Sequence, residues 1–369
     1  MIYLDNGATS FRKPAAVYRA VSETMHSCAN PGRGGYGAAV EASKKLFACR
    51  EEAAALFDCT PEQVVLTSNC THGLNIAIRS LVKPGSRVAV SGFEHNAVTR
   101  PLHALGAELR VAGKTLFDQK DTLEEFYKVL KQGVDAAVFT HVSNVFGYIL
   151  PVEDMAVLCR AFGVPFIIDA AQSAGVLPVK LGQLGADFIA MPGHKGLLGP
   201  QGTGLLLCRG NAEPLMQGGT GSDSIRQEMP EYLPDRLEAG TMNVPGYAGL
   251  TEGLRHIRRI GEKEIFRREH TQLLRCARGL EKLGVKVFHG VHQAGTLSFL
   301  PERDCEETAQ LLAEQGIAVR AGLHCAPRAH ESAGTLDTGT VRVSFGYDAG
   351  NYQTEAFLRA MSKLSARKD

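Results

Sequence analysis

Residues 187–204 read DFIAMPGHKGLLGPQGTG. The apolar run at 187–191 predicts a buried strand, and His194 and Lys195 follow it among glycines and prolines, where the chain turns. Lysine is almost always solvated, so a lysine at the end of a buried strand needs a chemical explanation. An amine partly withdrawn from water has a lowered pKa and can serve as a nucleophile and a base. Lys195 is therefore our first candidate catalytic residue.

Short apolar runs alternate with helical patterns around this stretch. The predicted strands are at 64–68, 87–91, 108–112, 136–142, 165–170, 187–191 and 204–208. Helix-like segments at 121–131 and 154–162 lie between them. Strands that alternate with helices predict a mostly parallel sheet with helices on both faces. Ligands of such sheets bind beyond the carboxyl ends of the strands, so the residues just after each strand form the candidate site.

The C-terminal third has a different pattern. A loop-like stretch at 211–243, rich in glycine and proline, leads into a long helical stretch at 246–283. The remaining segments mix strands and helices, with strands at 285–289, 296–300, 317–320 and 340–345 and helices at 306–314 and 352–363. We therefore predict an α/β fold with two domains. The large domain, at 15–250, contains a seven-stranded, mostly parallel sheet, and the smaller α+β domain consists of 1–14 and 251–369.

Composition narrows the class of protein. The 369 residues include 40 basic and 39 acidic side chains, which gives a net charge of +1. This balance argues against nucleic-acid binding, which requires basic residues concentrated on one surface. No apolar run approaches the roughly 20 residues of a membrane span, and the N-terminal MIYLDNGATSF does not resemble a signal peptide, so we expect a cytoplasmic protein without a membrane partner. Nine cysteines without a Cys-x-x-Cys pair predict neither a disulfide framework nor a metal site.

Polar side chains follow several of the predicted strands. Thr71 lies where a helix begins after 64–68, and the N–H groups of a helix N-terminus bind phosphate, although this segment alone fits a simple N-cap better. His95 follows the next strand and offers a flat ring. Asp169 ends a very apolar strand, where a carboxylate needs a cationic partner to stay ionised. With the amine of Lys195, these groups match the requirements of pyridoxal 5'-phosphate.

The order of these motifs resembles the class V aminotransferase family and, within it, the cysteine desulfurase and selenocysteine lyase branch. The likeness extends nearly from end to end. The matching segments are YLDNGAT at 3–9, Glu94-His95, Ser143-Asn144, DAAQ at 169–172, Gly193-His194-Lys195, EAGT at 238–241 and RAGLHCAP at 320–327. The resemblance implies the type I fold of pyridoxal-phosphate-dependent transferases, with pyridoxal 5'-phosphate as the cofactor.

The resemblance also implies which side chains bind the cofactor ring. Lys195 would bond covalently to the cofactor and move the proton of the substrate Cα. His95 would stack on the ring and act as an acid or base. Asp169 would pair with the ring nitrogen, Gln172 would bond the phenolic oxygen, and Asn144 would lie close by.

For the cofactor phosphate, the resemblance implies Thr71 and His194 from this chain and Thr241 from a second subunit, so we expect a homodimer. Two positions depart from the family pattern. Cys70, which we count among the cofactor-binding positions, stands where the family often has a hydroxyl residue, and Pro192 stands where a serine is common. Each change removes a potential phosphate donor, so we expect a lower affinity for the cofactor.

For the substrate, the resemblance implies that Arg320 binds the α-carboxylate through two parallel hydrogen bonds, with Asn144 and Arg342 nearby. Cys325 differs from the other eight cysteines because Arg320 and His324 lie close in sequence, and cations lower the pKa of a thiol. Composition alone favours a structural thiol. The resemblance implies instead a catalytic thiol that receives sulfur as a persulfide.

The implied reaction converts L-cysteine or selenocysteine to L-alanine, and the short loop around Cys325 resembles the type II branch, in which a partner protein commonly accepts the sulfur. The preferred substrate among cysteine, selenocysteine and cysteine sulfinate stays open, as does the pathway served.

One alternative is another class V pyridoxal enzyme, such as an aminotransferase, a kynureninase-like hydrolase or an epimerase, which needs no cysteine at 325. A dinucleotide-binding oxidoreductase is suggested by GRGGYG at 32–37, although no predicted strand precedes that cluster. A third alternative is a non-catalytic sulfur carrier without a cofactor.

Overall fold

A computed structural model describes residues 1–32, 34–222 and 224–366 of the chain. The strands are β1 Ile2–Tyr3, β2 Val64–Thr67, β3 Arg87–Ser91, β4 Glu108–Ala112, β5 Ala136–Thr140, β6 Phe166–Asp169, β7 Phe188–Pro192, β8 Gly204–Cys208, β9 Lys286–Phe288, β10 Thr296–Leu300, β11 Ile317–Ala318, β12 Arg320–Gly322 and β13 Thr340–Ser344. The helices are α1 Ala15–Ser27, α2 Gly37–Phe57, α3 Cys70–Leu81, α4 Asn96–Ala104, α5 Gln119–Lys131, α6 Val152–Phe162, α7 Leu181–Leu184, α8 Val244–Ile260, α9 Glu262–Lys282, α10 Cys305–Glu314, α11 Pro327–Ala333 and α12 Asn351–Ala366.

Seven strands form the central sheet in the order β2-β8-β7-β6-β5-β3-β4. Only β8 runs antiparallel to its neighbours, β2 and β7, while the other pairs are parallel. Alternate residues of a strand face opposite sides of the sheet. In β7, Ile189 and Met191 belong to one core cluster, and Phe188 and Ala190 belong to the other. Apolar cores therefore cover both faces, and the predicted seven-stranded, mostly parallel sheet is confirmed.

The reversed direction of β8 explains the turn that contains Lys195. Residues 193–203 connect β7 to its antiparallel neighbour, and Gly193 N–H donates to Thr203 O at 2.8 Å to close the turn. A Cβ atom at Gly193 would collide with Thr203 Oγ1, so only glycine fits there. The glycine therefore permits a tight turn, which keeps Lys195 at the carboxyl edge of the parallel strands.

A four-stranded antiparallel sheet, in the order β12-β13-β10-β9, forms the smaller α+β region. Its own hydrophobic core includes Leu273, Leu297 and Phe357. The N-terminal segment belongs to this region, because β1 pairs in parallel with β11 and Leu4 joins the same core. The division that we propose between the domains, at 250/251, falls inside α8, and the last residues of the smaller domain, 367–369, lie outside the described residues.

Two predicted elements differ from the structure. The helical stretch predicted at 246–283 is wrong as a single helix, because Gly261, with φ +90°, separates α8 from α9. The strand predicted at 317–320 is divided into β11 and β12, which belong to different sheets. Among the helices of the described ranges, none is long and apolar enough to cross a membrane.

Candidate active site

Eight of the predicted cofactor-binding residues surround one cavity at the carboxyl edge of the central sheet. They are Cys70, Thr71, His95, Asn144, Asp169, Gln172, His194 and Lys195. The lining of the cavity is mainly polar and charged, with Ala97, Val142 and Ala171 as apolar neighbours. Its residues follow strands that are distant in sequence, so the order of the strands in the sheet brings them together.

Asp169, the last residue of β6, is 2% exposed. Its Oδ1 accepts the N–H of Ala171 at 2.9 Å and the thiol of Cys70 at 3.5 Å. Burial and the charge of Asp169 raise the pKa of the Cys70 thiol well above its ordinary value, so the thiol stays protonated and donates. The other oxygen, Oδ2, has no hydrogen-bond partner among the described residues. One carboxylate oxygen is therefore free to accept the N–H of a bound ring.

Lys195 is half-buried in the turn after β7. Burial is the main cause that lowers the pKa of its ammonium group, and the positive charges of Arg342 and Arg320 act in the same direction. The negative charge of Asp169 opposes them. A lowered pKa increases the fraction of free amine, which is the form that attacks an aldehyde. The environment of Lys195 therefore suits a nucleophilic amine.

His95 is the N-cap of α4 and is half-buried at the same cavity. Its Nδ1 accepts the N–H of Ala97 at 3.0 Å. Burial lowers the pKa of His95, so the ring is neutral near pH 7 and its proton is on Nε2. A fixed, neutral ring in this position can stack on a flat ligand or exchange a proton through Nε2.

The N-terminus of α3 forms another wall of the cavity. Asn69 is the N-cap, and its side chain accepts the N–H of His72 at 2.9 Å. Thr71, in the first turn, is exposed. The cap that the sequence suggested is therefore Asn69, and the hydroxyl of Thr71 stays available at the positive end of the helix dipole, which favours a phosphate.

The N-terminal segment contacts two residues that line the cavity, His194 and Gln172. Ser10 donates its N–H and its hydroxyl to the carbonyl oxygen of His194 at 3.0 and 2.9 Å, and His194 Nδ1 lies 3.0 Å from Thr9 Oγ1. Burial is the main cause that lowers the pKa of His194 to about 4, so its ring is neutral. Gln172 Nε2 donates to Gly7 O at 2.9 Å. The contacts of Thr9 and Ser10 could not be predicted from the sequence, because a coil without periodicity gives no signal of what it contacts.

The two arginines predicted to bind substrate have different surroundings. Arg342 is 2% exposed, and it donates from Nη1 to Asn144 O at 2.9 Å and from Nη2 to Asp5 Oδ1 at 2.5 Å. Arg320 is exposed at the start of β12. We therefore retain Arg320 as the candidate ligand of a substrate carboxylate. The substrate role of Arg342 stays a prediction, and its contact with Asp5 was not foreseen from the sequence.

Cys325 is exposed, and its carbonyl oxygen accepts the N–H of Asn96, the residue after His95, at 2.8 Å. The thiol is therefore carried by a loop that contacts the wall of the cavity. His324 is only 5% exposed, and burial is the main cause that lowers its pKa to about 3. The expectation that His324 supplies a positive charge to Cys325 is wrong, because a buried imidazole with this pKa is neutral at pH 7.

Thr241 does not reach this cavity within its own chain. It is exposed in a separate, open cavity whose lining includes Arg50 and Glu238. Arg50 donates from Nη1 and Nη2 to the two carboxylate oxygens of Glu238 at 2.7 and 2.6 Å. This buried ion pair holds the segment that leads to Thr241. The expected contribution of Thr241 to the site of a second subunit stays a prediction.

These surroundings fit pyridoxal 5'-phosphate. The free Oδ2 of Asp169 can accept the ring N–H, Lys195 offers an amine with a lowered pKa, and His95 offers a flat ring. The N-terminus of α3, with Thr71, offers phosphate donors. Within the described ranges, no group of three or more His, Cys, Asp or Glu side chains is placed to hold a metal ion.

A second cavity lies beside Lys195 and Gln172, between α9 and the N-terminal segment. Glu269 of α9 lines this cavity and is 7% exposed. Its carboxyl group has no hydrogen-bond or ion-pair partner among the described residues. Burial is the main cause that raises the pKa of Glu269 to about 8, and the charge of Asp348 adds to it. Glu269 is therefore mostly protonated at pH 7.

We expect Glu269→Gln to remove a pH-dependent loss of stability. Between about pH 4.5 and about pH 8, Glu269 is ionised in the unfolded chain but protonated in the folded chain. The folded state thus binds more protons, so the free energy of unfolding falls as the pH rises, by roughly 1.4 kcal/mol per pH unit from this group. Thermal unfolding measures this effect: the Tm of the variant exceeds that of the wild type near pH 8, and the difference shrinks toward pH 5. Glu314→Gln, at an exposed position of α10, is the control. A difference in Tm between Glu269→Gln and the wild type that stays constant with pH contradicts the prediction.

Comparison with known proteins identifies relatives over the whole chain. The family described as Aminotransferase class-V matches residues 2–357. A probable cysteine desulfurase of Methanothermobacter thermautotrophicus is 32% identical over 364 residues, which cover 94% of this chain and 90% of the relative. One of Pyrococcus abyssi is 32% identical and covers 99% of this chain and 94% of the relative. The apo structure of a cysteine desulfurase from Thermococcus onnurineus NA1 superposes with a TM-score of 0.93 at 33% identity and covers 99% of this chain and 94% of that chain.

Proposed function

This chain belongs to the class V aminotransferase family, whose members use pyridoxal 5'-phosphate, and we propose that it is a cysteine desulfurase that converts L-cysteine to L-alanine. The sulfur is held as a persulfide on Cys325. The observation that carries this proposal is the exposed thiol of Cys325 on a loop that contacts the cavity wall next to His95. That cavity also contains Lys195 and Asp169. Another class V enzyme, such as an aminotransferase or an epimerase, requires no thiol at this position.

The dinucleotide-binding alternative does not have the structural context that it needs. The glycine cluster at 32–37, of which residue 33 lies outside the described residues, falls between α1 and α2. A dinucleotide-binding fingerprint follows a strand directly. In the described part of the chain, the element before the cluster is a helix, so these glycines do not form such a site.

The side chains of the cavity prepare the substrate for reaction. Bound pyridoxal 5'-phosphate supplies a ring that stabilises negative charge at the substrate Cα. Lys195 Nζ takes the Cα proton, because its lowered pKa favours the free amine at neutral pH. Asp169 would hold the ring through its free Oδ2, which would accept the ring N–H and favour the protonated form of that nitrogen. Arg320 binds the substrate carboxylate through two parallel N–H donors.

Cys325 then removes the substrate sulfur. Its thiolate attacks the substrate Sγ, so that an S–S bond forms while the Cβ–Sγ bond breaks. The electron pair of the broken bond stays on the substrate, whose Cβ takes up a proton and becomes the methyl group of alanine. Lys195 Nζ then returns a proton to Cα. Cys325 is left as a persulfide. A thiol acceptor attacks the outer sulfur and restores the Cys325 thiol, so the sulfur transfer requires no separate oxidant or reductant.

We further propose that the enzyme is a cytoplasmic homodimer that passes sulfur to an acceptor protein. Phe47, which is 50% exposed, lines the same open cavity as Thr241. A second subunit that covers this surface would bury Phe47 and bring Thr241 toward its own cofactor phosphate. The exposure of Cys325 gives an acceptor protein access to the persulfide. Selenocysteine is an expected second substrate, because selenium is a better leaving atom than sulfur.

Alanine formation by the purified protein loaded with pyridoxal 5'-phosphate tests this function. We expect alanine from L-cysteine and from selenocysteine, with a single turnover in the absence of a thiol acceptor and sustained turnover in its presence. Cysteine sulfinate, assayed in parallel, defines the substrate preference. The protein should be yellow, change its absorption when cysteine is added, and lose its colour on reduction with borohydride. Bound cofactor without alanine from either substrate would refute the proposal, and a colourless protein that binds no cofactor would favour the sulfur-carrier alternative.

A further inference from the structure

A row of polar side chains that the mechanism above does not use lies behind the loop of Cys325. His324 Nε2 lies 3.2 Å from the carbonyl oxygen of Arg320, and His324 Nδ1 lies 3.5 Å from His330 Nε2. His330 Nδ1 lies 2.8 Å from Thr335 Oγ1. The three side chains are buried, with His324 5%, His330 0% and Thr335 1% exposed. The row therefore leads from the protein interior to the backbone just before Cys325.

The chemistry of these atoms fixes the position of every proton in the row. The carbonyl oxygen of Arg320 only accepts, so His324 Nε2 carries a proton. Burial lowers the pKa of His324 to about 3 and that of His330 to about 4, so each ring carries one proton near pH 7. His324 Nδ1 is then an acceptor, and His330 Nε2 donates to it. His330 Nδ1 is left as an acceptor for the hydroxyl of Thr335.

The loop needs such support because its backbone is strained. His324 and Cys325 have φ values of +53° and +57°, a region that residues other than glycine rarely adopt. Asn144 Nδ2 donates to His324 O at 2.8 Å, and Asn96 N–H donates to Cys325 O at 2.8 Å. These two bonds hold the loop carbonyls on the cavity side. The contacts of the His324 ring hold the loop from the interior.

We propose that His330 and Thr335 are positioning residues, which fix the proton on His324 Nε2 and thereby hold the loop that carries Cys325. Neither side chain lines the cofactor cavity, so both act through His324. The inference rests on the proposed function, in which Cys325 attacks the substrate sulfur. Loss of the row should therefore slow sulfur transfer and leave cofactor binding intact.

Two matched pairs of variants test this inference. Thr335→Val keeps the volume of the side chain and removes its hydroxyl donor, whereas Thr335→Ser keeps the donor. His330→Phe keeps the ring shape and removes the N–H donor to His324, whereas His330→Gln keeps a donor. We expect Thr335→Val and His330→Phe to lower kcat for alanine formation roughly five- to tenfold, which corresponds to the loss of one neutral hydrogen bond, with KM changed less than about twofold. Thr335→Ser and His330→Gln should stay within about twofold of the wild type.

Two further readouts do not depend on turnover. Imidazole ¹⁵N NMR of protein labelled at histidine should show that the proton of His324 lies on Nε2 in the wild type. In Thr335→Val, His324 should no longer be found in this one tautomer alone. The rate of Cys325 alkylation by iodoacetamide, followed by mass spectrometry, should change in Thr335→Val and not in Thr335→Ser. Thermal unfolding shows whether each variant is folded.

The outcomes separate this inference from the proposed function. A wild-type His324 protonated on Nδ1 overturns the inference. The inference also fails if Cys325→Ala is inactive while a folded Thr335→Val protein has the wild-type kcat, alkylation rate and NMR signals. If Cys325→Ala itself forms alanine at the wild-type rate, the proposed function fails, whatever the Thr335 variants do.

Discussion

Lys195→Ala lowers the rate of alanine formation from L-cysteine at least about 10³-fold, because the variant loses both the amine that bonds the cofactor and the base that takes the Cα proton. Lys195→Arg should lose as much activity, since a guanidinium group stays protonated and performs neither task. Alanine formation gives the rate. Mass spectrometry after borohydride reduction gives the attachment site: the cofactor should add its mass to the wild-type peptide that contains Lys195 and to neither variant.

The control for this prediction is Lys120→Ala, whose side chain is 86% exposed on α5. This variant should keep the wild-type rate and the covalent label. Lys195→Ala should still bind the cofactor, with lower affinity, because Asp169, His95 and the N-terminus of α3 are unchanged. A Lys195→Ala protein that keeps a reducible covalent bond to the cofactor would show that another amine is the nucleophile.

Cys325→Ala is expected to lower alanine formation about 10²-fold or more, because no other thiol in the described residues is exposed. The variant should remain yellow, and its absorption should still change on addition of L-cysteine, since the cofactor cavity does not include Cys325. Comparing alanine formation with this spectral change separates the sulfur-transfer step from substrate binding. After one turnover, dithiothreitol should release sulfide, and cyanide should release thiocyanate, from the wild-type protein, and neither product should appear from the variant.

Cys28→Ser and Cys59→Ser are the matched controls, because both thiols are only half-buried and lie away from the cavity. Each should form alanine at the wild-type rate. Undiminished alanine and sulfide production by Cys325→Ala contradicts the attack of Cys325 on the substrate. In that case, a class V enzyme that does not use this thiol becomes the better description.

The large sheet could be predicted from the sequence because most of its strands are short apolar runs separated by turn residues. The runs at 136–140 and 204–208, for example, are buried along their whole length. The break at Gly261 was missed, since apolar periodicity continues on both sides of it and one glycine is tolerated in many helices. The division of 317–322 between two sheets depends on partners far away in sequence, and no local pattern encodes it.

The candidate site was predictable where residue type and strand position agree. Asp169 and Lys195 each follow an apolar strand, and both line the cavity. The charge state of His324 was not predictable, because proximity in sequence to Cys325 does not tell which side chain is buried. The contact of Arg342 with Asp5 joins residues 337 positions apart, so it could not be inferred from either neighbourhood.

The pairing of β1 with β11 has a consequence for how the protein matures in the cell. The segment that contacts His194 is translated long before β11, the strand that pairs with β1. Until β11 is translated, the nascent chain therefore cannot fix this segment against His194 and Gln172, which line the binding cavity. We expect the vitamin-derived cofactor to be captured after translation, and a bulky fusion directly before Met1 to hinder that capture more than the same fusion placed after Asp369.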